Sequence, residues 1–159
     1  TDQINLSGMS NSSTVNLNAG TYSSINIRSN TSNQNNVAIA YGSKINSVTL
    51  SVNPTAADKV VLNNAYASGS FDNIYNLASN DKISIKTSIF GNLSSANLAV
   101  GAGLTTASTS TSKLIVNSTT GDVYYDADGS AAASRAIKIA HYTKVGNFNL
   151  AAANFEFIA

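Results

Sequence analysis

Asp122, Asp126 and Asp128 place three of the chain's eight acidic residues within seven positions, in the stretch TTGDVYYDADGSAAASR (119–135). Side chains two apart on an extended segment share a face, so Asp126 and Asp128 point the same way. Gly129 permits the left-handed backbone that turns carbonyl oxygens inward. Calcium takes six to eight oxygens at about 2.3–2.6 Å, and carboxylates alternating with carbonyls supply them. The segment is shorter than an EF-hand loop and lacks its final glutamate, which removes that site type. Two readings stand. Asp126 and Asp128, with Asp122 beside them, build a cation site, or one of these carboxylates caps backbone amides in a β-turn. Tyr124 and Tyr125 face opposite sides of a strand, one packed and one exposed.

Three further acids are calcium candidates: Asp58, Asp72 and Asp81. TDQINL (1–6), ADKVVL (57–62) and NDKISI (80–85) share an Asp, a polar residue and then a β-branched–x–aliphatic triplet. An Asp set before a strand and repeated in this way predicts a corner whose carboxylate meets backbone N–H groups or a cation. Solvated turn positions give the same pattern. His141 is the chain's one histidine, so any Ser–His–Asp arrangement must use it, and it reads as a strand residue. Glycosidase chemistry needs two acids about 5–10 Å apart in a cleft. Asp122 and Asp126 can meet that distance, as almost any strand–turn pair can, and the chain reads as non-enzymatic.

The elements that would position these residues are short strands. Apolar clusters begin at Ile4, Val15, Ile25, Val37, Val48 and Val60, 10 to 12 residues apart. Most alternate apolar and polar residues, the period of a strand with one buried face. Between them lie Gly, Ser and Asn, which form turns. Asn and Ser make up 46 of 159 residues and Thr another 14, with 43% hydrophobic residues and a net charge of +1. Low charge with ample apolar content predicts an ordered, turn-rich β protein and not a disordered one. No basic patch stands out among nine scattered Lys and Arg, which argues against nucleic acid as a partner. There is no cysteine, so disulfides and thiolate metal sites are excluded. No segment approaches the roughly 20 apolar residues that span a bilayer. TDQINLSG has neither a basic start nor an apolar run and begins in mid-pattern, as expected of a piece of a longer protein. The stretch 130–145 suits a strand or a helix, and 149–155 a single helical turn; helix content is expected to be low.

From about Phe71 onward the chain resembles the C-terminal end of RTX-type proteins, which Gram-negative bacteria export through type I (ABC-transporter) secretion. FDNIYNLASNDKISIKTSIFGNL (71–93) is similar to the family's closing segment D-x-I-x-x-F…D-K-I-D-L-S. LIVNSTTGDVYYDADGSAAASRAIKIA (114–140) is similar to its L-x-Y-N-x-x-T-G-x-L-Y-Y-D-A-D-G-x-G motif, and LAAANFEFIA (150–159) to its terminal L-T-A-x-D-F-x-V-I. The glycine-rich G-G-x-G-x-D nonapeptides that bind calcium in the family's β-roll are absent, and residues 1–70 carry Asn and Ser instead. Neither H-E-x-x-H nor G-x-S-x-G occurs.

The strand spacing and the repeated Asp favour an all-β fold with a β-roll or parallel β-solenoid over residues 1–70. The resemblance implies that it continues, as one fold, into an RTX-type closing segment with a type I secretion signal over 71–159. An antiparallel β-sandwich is the alternative, since strands every 10 to 12 residues fit both. Phe148, Leu150, Phe155, Phe157 and Ile158 form a last strand that covers an otherwise open end, and by resemblance belong to the uncleaved export signal. The implied function is structural, in a secreted surface-layer or adhesive protein on the bacterial cell surface. Calcium is the implied cofactor. The implied partners are an ABC-type exporter and identical subunits or lipopolysaccharide. An adhesin domain using Tyr22, Tyr41, Tyr66 and Tyr75 against glycans, or the tail of a secreted RTX-type enzyme, are the competing expectations.

Overall fold

A computed structural model describes residues 2–28 and 34–159. Its strands are β1 (Asp2–Asn5), β2 (Thr14–Asn16), β3 (Tyr22–Ser23), β4 (Val37–Ala38), β5 (Ile45–Thr49), β6 (Lys59–Leu62) and β7 (Asp72–Leu77). They continue with β8 (Lys82–Lys86), β9 (Leu98–Gly101), β10 (Leu114–Asn117), β11 (Asp122–Tyr125), β12 (Ile137–Lys144) and β13 (Phe155–Ile158). The fold is all-β. Helix among the described residues amounts to one four-residue turn, α1 (Thr87–Phe90), and two 3-10 turns at Ser95–Asn97 and Ala152–Asn154. The ambiguous stretch 130–145 contributes β12, and the turn expected over 149–155 is the second 3-10 turn. No described helix is long and apolar enough to cross a membrane.

Two sheets share the work of building the core. The larger runs β1-β5-β7-β12-β11-β10-β9 and the smaller β13-β8-β6-β2, with β3-β4 a separate pair. Chain order alternates between them, β1 to β2, β5 to β6, β7 to β8 and β12 to β13. Neighbours within each of these series are parallel, unlike the antiparallel pairing of the sandwich alternative. Among the described strands, antiparallel pairs are β3-β4 and β10-β11-β12, with one further antiparallel bridge between Thr14 and Ser24. Because the register is parallel, like residues stack. Val15, Val60, Ile83 and Phe155 form one inward row, and Ile4, Val48, Ile74 and Tyr142 form the facing one. Both rows belong to a single core that runs from Leu6 to Phe155, across the boundary drawn at residue 70. The alternation of apolar and polar residues is thus used as the strand period predicts.

Residues 87–136 are an insertion between β8 and β12 that adds β11, β10 and β9 to the far side of β12. Its α1 turn carries Phe90 into the core, stacked 6.2 Å from Tyr66 and edge-on 5.1 Å from Tyr125. The cluster Ile25-Asn26-Ile27 departs from the expected strand. Asn26 adopts φ 56°, and its Oδ1 accepts from the Asn11 backbone N–H at 3.0 Å. Here an alternating triplet forms a turn, because Asn tolerates the left-handed backbone that β-branched residues avoid.

Candidate functional site

The stacked corners show first what the repeated Asp does. The Ser13 N–H donates to Asp58 Oδ1 at 2.7 Å and the Ser51 N–H to Asp58 Oδ2 at 3.0 Å. One corner further, the Asp58 N–H donates to Asp81 Oδ1 at 2.9 Å and the Ala78 N–H to Asp81 Oδ2 at 2.8 Å. Each carboxylate therefore ties its own corner to the previous one. Beyond Asp81 an amide takes over. Asn154 Oδ1 accepts from the Ala151 N–H at 3.2 Å, and its Nδ2 donates to the Ser79 and Asp81 carbonyls. Burial pushes the Asp81 carboxyl up to about 6, against the amide bonds from Ala78 and Asp58. The same burial raises Asp58. Asp2, the third member of the sequence repeat, lies exposed in the other sheet opposite Ile45.

Asp72 sits inside the core end of β7, 3% exposed, where Tyr66 Oη donates to its Oδ2 at 2.5 Å. Burial pushes Asp72 up to about 6, opposed by that hydroxyl, and pushes the Tyr66 phenol up as well. Asp122 is engaged differently. Lys138 Nζ lies 2.5 Å and His141 Nδ1 2.9 Å from its Oδ1, and Thr120 Oγ1 donates to Oδ2 at 2.7 Å. Burial raises its carboxyl, but the bonds from Lys138, Thr120 and His141 outweigh this and hold it at about 2. The β11–β12 pairing sets Asp122 opposite His141. Lys138 does not stand out in the sequence; its Nζ also sits 4.0 Å from the Phe71 ring centroid, a cation–π position.

Asp126 and Asp128 form the remaining group. Asp126, 4% exposed, follows β11, where its N–H donates to the Lys113 carbonyl at 2.8 Å. The chain then turns through Gly129 at φ +67°, where a Cβ would lie 2.5 Å from the Ser110 carbonyl oxygen. Only glycine lets this loop close on 109–110, and the Ser130 N–H fixes it there by donating to Thr109 O at 3.0 Å. The Ser134 N–H donates to Asp128 Oδ2 at 2.9 Å. The two carboxyls lie close enough to shift each other's titration. Burial and the neighbouring Asp128 raise Asp126; burial also raises Asp128, but bonds from Ser134 and Asp126 outweigh it and leave Asp128 lowered. Among the described residues, the buried side-chain oxygens without a partner are Asp126 Oδ1, Asp128 Oδ1, Asn46 Oδ1 and Asn63 Oδ1. A cavity of about 480 Å³ adjoins Asp126, bordered by Thr106, Ser130, Ser134 and Arg135. Neighbouring carboxylates repel, and a proton or a cation relieves that repulsion. Oxygen-only donors of this kind suit a hard cation, with hydroxyls and carbonyls completing the shell. No group of three or more His, Cys, Asp or Glu side chains converges among the described residues, so protein carboxylates would supply at most two ligands here.

Tyr125 packs against Phe90 and donates from Oη to the Phe90 carbonyl at 2.8 Å, while Tyr124 on the other face turns its Oη toward Asp122. In the tail, Leu150 and Phe155 are buried, and Phe148 and Phe157 pack against the core. Ile158 is half-buried on β13, which pairs with β8 and forms the edge of the small sheet. Compared with known proteins, the chain matches no family model and no curated protein sequence.

Proposed function

We propose that the chain is a non-enzymatic structural module of a secreted bacterial surface protein, a two-sheet β-solenoid whose closing loop binds calcium. The observation that carries this reading is the Asp126–Asp128 pair, with a buried, unpartnered oxygen on each carboxylate. Asp126, Asp128 and the surrounding loop oxygens hold the ion. The alternation of strands between two parallel series supports the solenoid, in which each corner carboxylate stacks one turn on the last. The resemblance of 71–159 to RTX-type termini supports export through an ABC-type transporter. At low cytosolic calcium the loop around Asp126 stays open and the chain remains export-competent. Outside the cell, calcium draws the two carboxylates together, joins the inserted strands to the 109–110 loop, and fixes a rigid unit for assembly with identical subunits or lipopolysaccharide.

A ligand that binds the folded state adds RT ln(1 + [L]/Kd), about 2.7 kcal/mol at one hundred times Kd. Thermal melts in calcium and in chelator are expected to differ by several degrees in the wild type. The difference should disappear in Asp126→Asn and Asp128→Asn. Superimposable melts with and without calcium in the wild type overturn the cation reading.

A further inference from the structure

A second cavity, of about 760 Å³, opens at the corner where the chain leaves the small sheet for the large one. We propose that this cleft binds a neutral saccharide. Its volume falls in the range of about 300–1,000 Å³ typical of small-molecule sites. Its walls carry the amides of Asn18, Asn46 and Asn64 and the hydroxyls of Ser43 and Ser70. Amides and hydroxyls both donate and accept, as sugar hydroxyls require of a partner.

Two observations point to a ligand and not merely to polar surface. Asn46 Oδ1 is buried and has no hydrogen-bond partner. Asn46 is the residue skipped by the β1–β5 pairing between Ile45 and Ser47, and it lines the cleft together with the buried Asp72. An unpartnered buried acceptor costs about 1–3 kcal/mol, and a hydroxyl donor entering the cleft relieves it. The second observation is Tyr41, which is 90% exposed. Its ring rests against Gly20, whose φ of +76° and missing side chain make room for it. Tyr41 precedes Gly42, and Gly20 follows Ala19, both of which line the cleft. The ring is thus an apolar face with a polar tip, one residue along the chain from the cleft lining and suited to the C–H face of a sugar ring. Charge sets the remaining choice. Asp2 and Asp72 on the walls oppose an anionic ligand and Lys44 opposes a cationic one, which leaves a neutral one.

The test is an array of immobilised glycans with the fluorescently labelled full chain in chelator, so that binding is read independently of any cation at Asp126. It should carry neutral hexose, deoxyhexose and N-acetylhexosamine mono- to trisaccharides beside sialylated, sulfated and amino-sugar glycans. Retention on neutral glycans is expected, weakened by about tenfold or more in Tyr41→Ala and in Asn46→Ala. Tyr41 is nearly all in solvent, so Tyr41→Ala should melt as the wild type does and serves even if Asn46→Ala folds poorly. The proposal is overturned if no neutral glycan retains the chain, if charged glycans alone retain it, or if Tyr41→Ala binds as well as the wild type.

Discussion

Replacing Asp58 by alanine is expected to destabilise the fold by about 2–6 kcal/mol, because two buried N–H groups lose their acceptor at once and each orphaned donor costs about 1–3 kcal/mol. Those donors belong to Ser13, 1% exposed, and Ser51, 2% exposed. One lies just before β2 and the other just after β5, so the carboxylate bridges both sheets and two successive corners. Water cannot replace it without opening the corner. Asp58→Asn keeps the shape but sets an NH₂ group against one of the two amide donors, and should fall closer to alanine than to the wild type. Asp81→Ala should behave alike, having the Asp58 and Ala78 N–H groups to lose. Equilibrium urea unfolding gives the values. A loss under about 1 kcal/mol for Asp58→Ala, the scale of an exposed ion pair, would mean that the corner holds without its carboxylate.

Part of this arrangement is written locally in the chain. An Asp followed by a polar residue and an alternating apolar triplet marks Asp58 and Asp81, because a carboxylate at a strand entrance finds free amides wherever the chain turns. The same pattern at Asp2 leads elsewhere: β1 slips by one residue against β5 between Asp2 and Gln3, and Asp2 lies exposed in the larger sheet. The two-residue period of β11 likewise sends Tyr124 and Tyr125 to opposite faces, though both are half-buried. Asp126 and Asp128, in contrast, lie beyond the strand and come together through the turn at 127–130. What the sequence withholds is pairing across distance. Parallel strands need long connections, so β5 meets β7 and β8 meets β13 through choices that no short window contains. The insertion at 87–136 has strands like any others, and nothing in its composition says that it extends the large sheet. The contacts Tyr66–Asp72 and Asp122–Lys138 are hidden for the same reason, since each depends on a register fixed by the rest of the core.

The buried carboxyls also predict an unusual dependence on pH. Raising the pH from about 4 to about 7 in chelator is expected to remove about 2 kcal/mol of stability through Asp72 alone, most of the two pKa units at about 1.4 kcal/mol each. In the folded chain burial holds Asp72 near 6, against an ordinary 3.8, so folding favours its protonated form. That contribution is complete below pH about 4 and disappears as the pH rises through about 6. Asp81, also raised to about 6 by burial, acts in the same direction. Asp122 acts in the opposite one. Held at about 2, its contribution is present above pH about 4 and is lost as the pH falls toward 2, and lowered Glu156 follows it. Stability should therefore peak near pH 4–5, on the acid side of the usual 5–8 range. Urea unfolding at about pH 4.5, 6 and 7.5 measures the slope, and Asp72→Asn should flatten much of it. Tyr66→Phe should move the fall to higher pH, because it removes the hydroxyl that lowers Asp72. Stability that climbs steadily from pH 4.5 to 7.5, or a slope untouched by Asp72→Asn, would show that burial does not hold the Asp72 carboxyl above its ordinary range. Chelator is needed throughout, since Asp126, raised by burial and by Asp128, would give up its proton in favour of a cation as the pH rises and mask the fall.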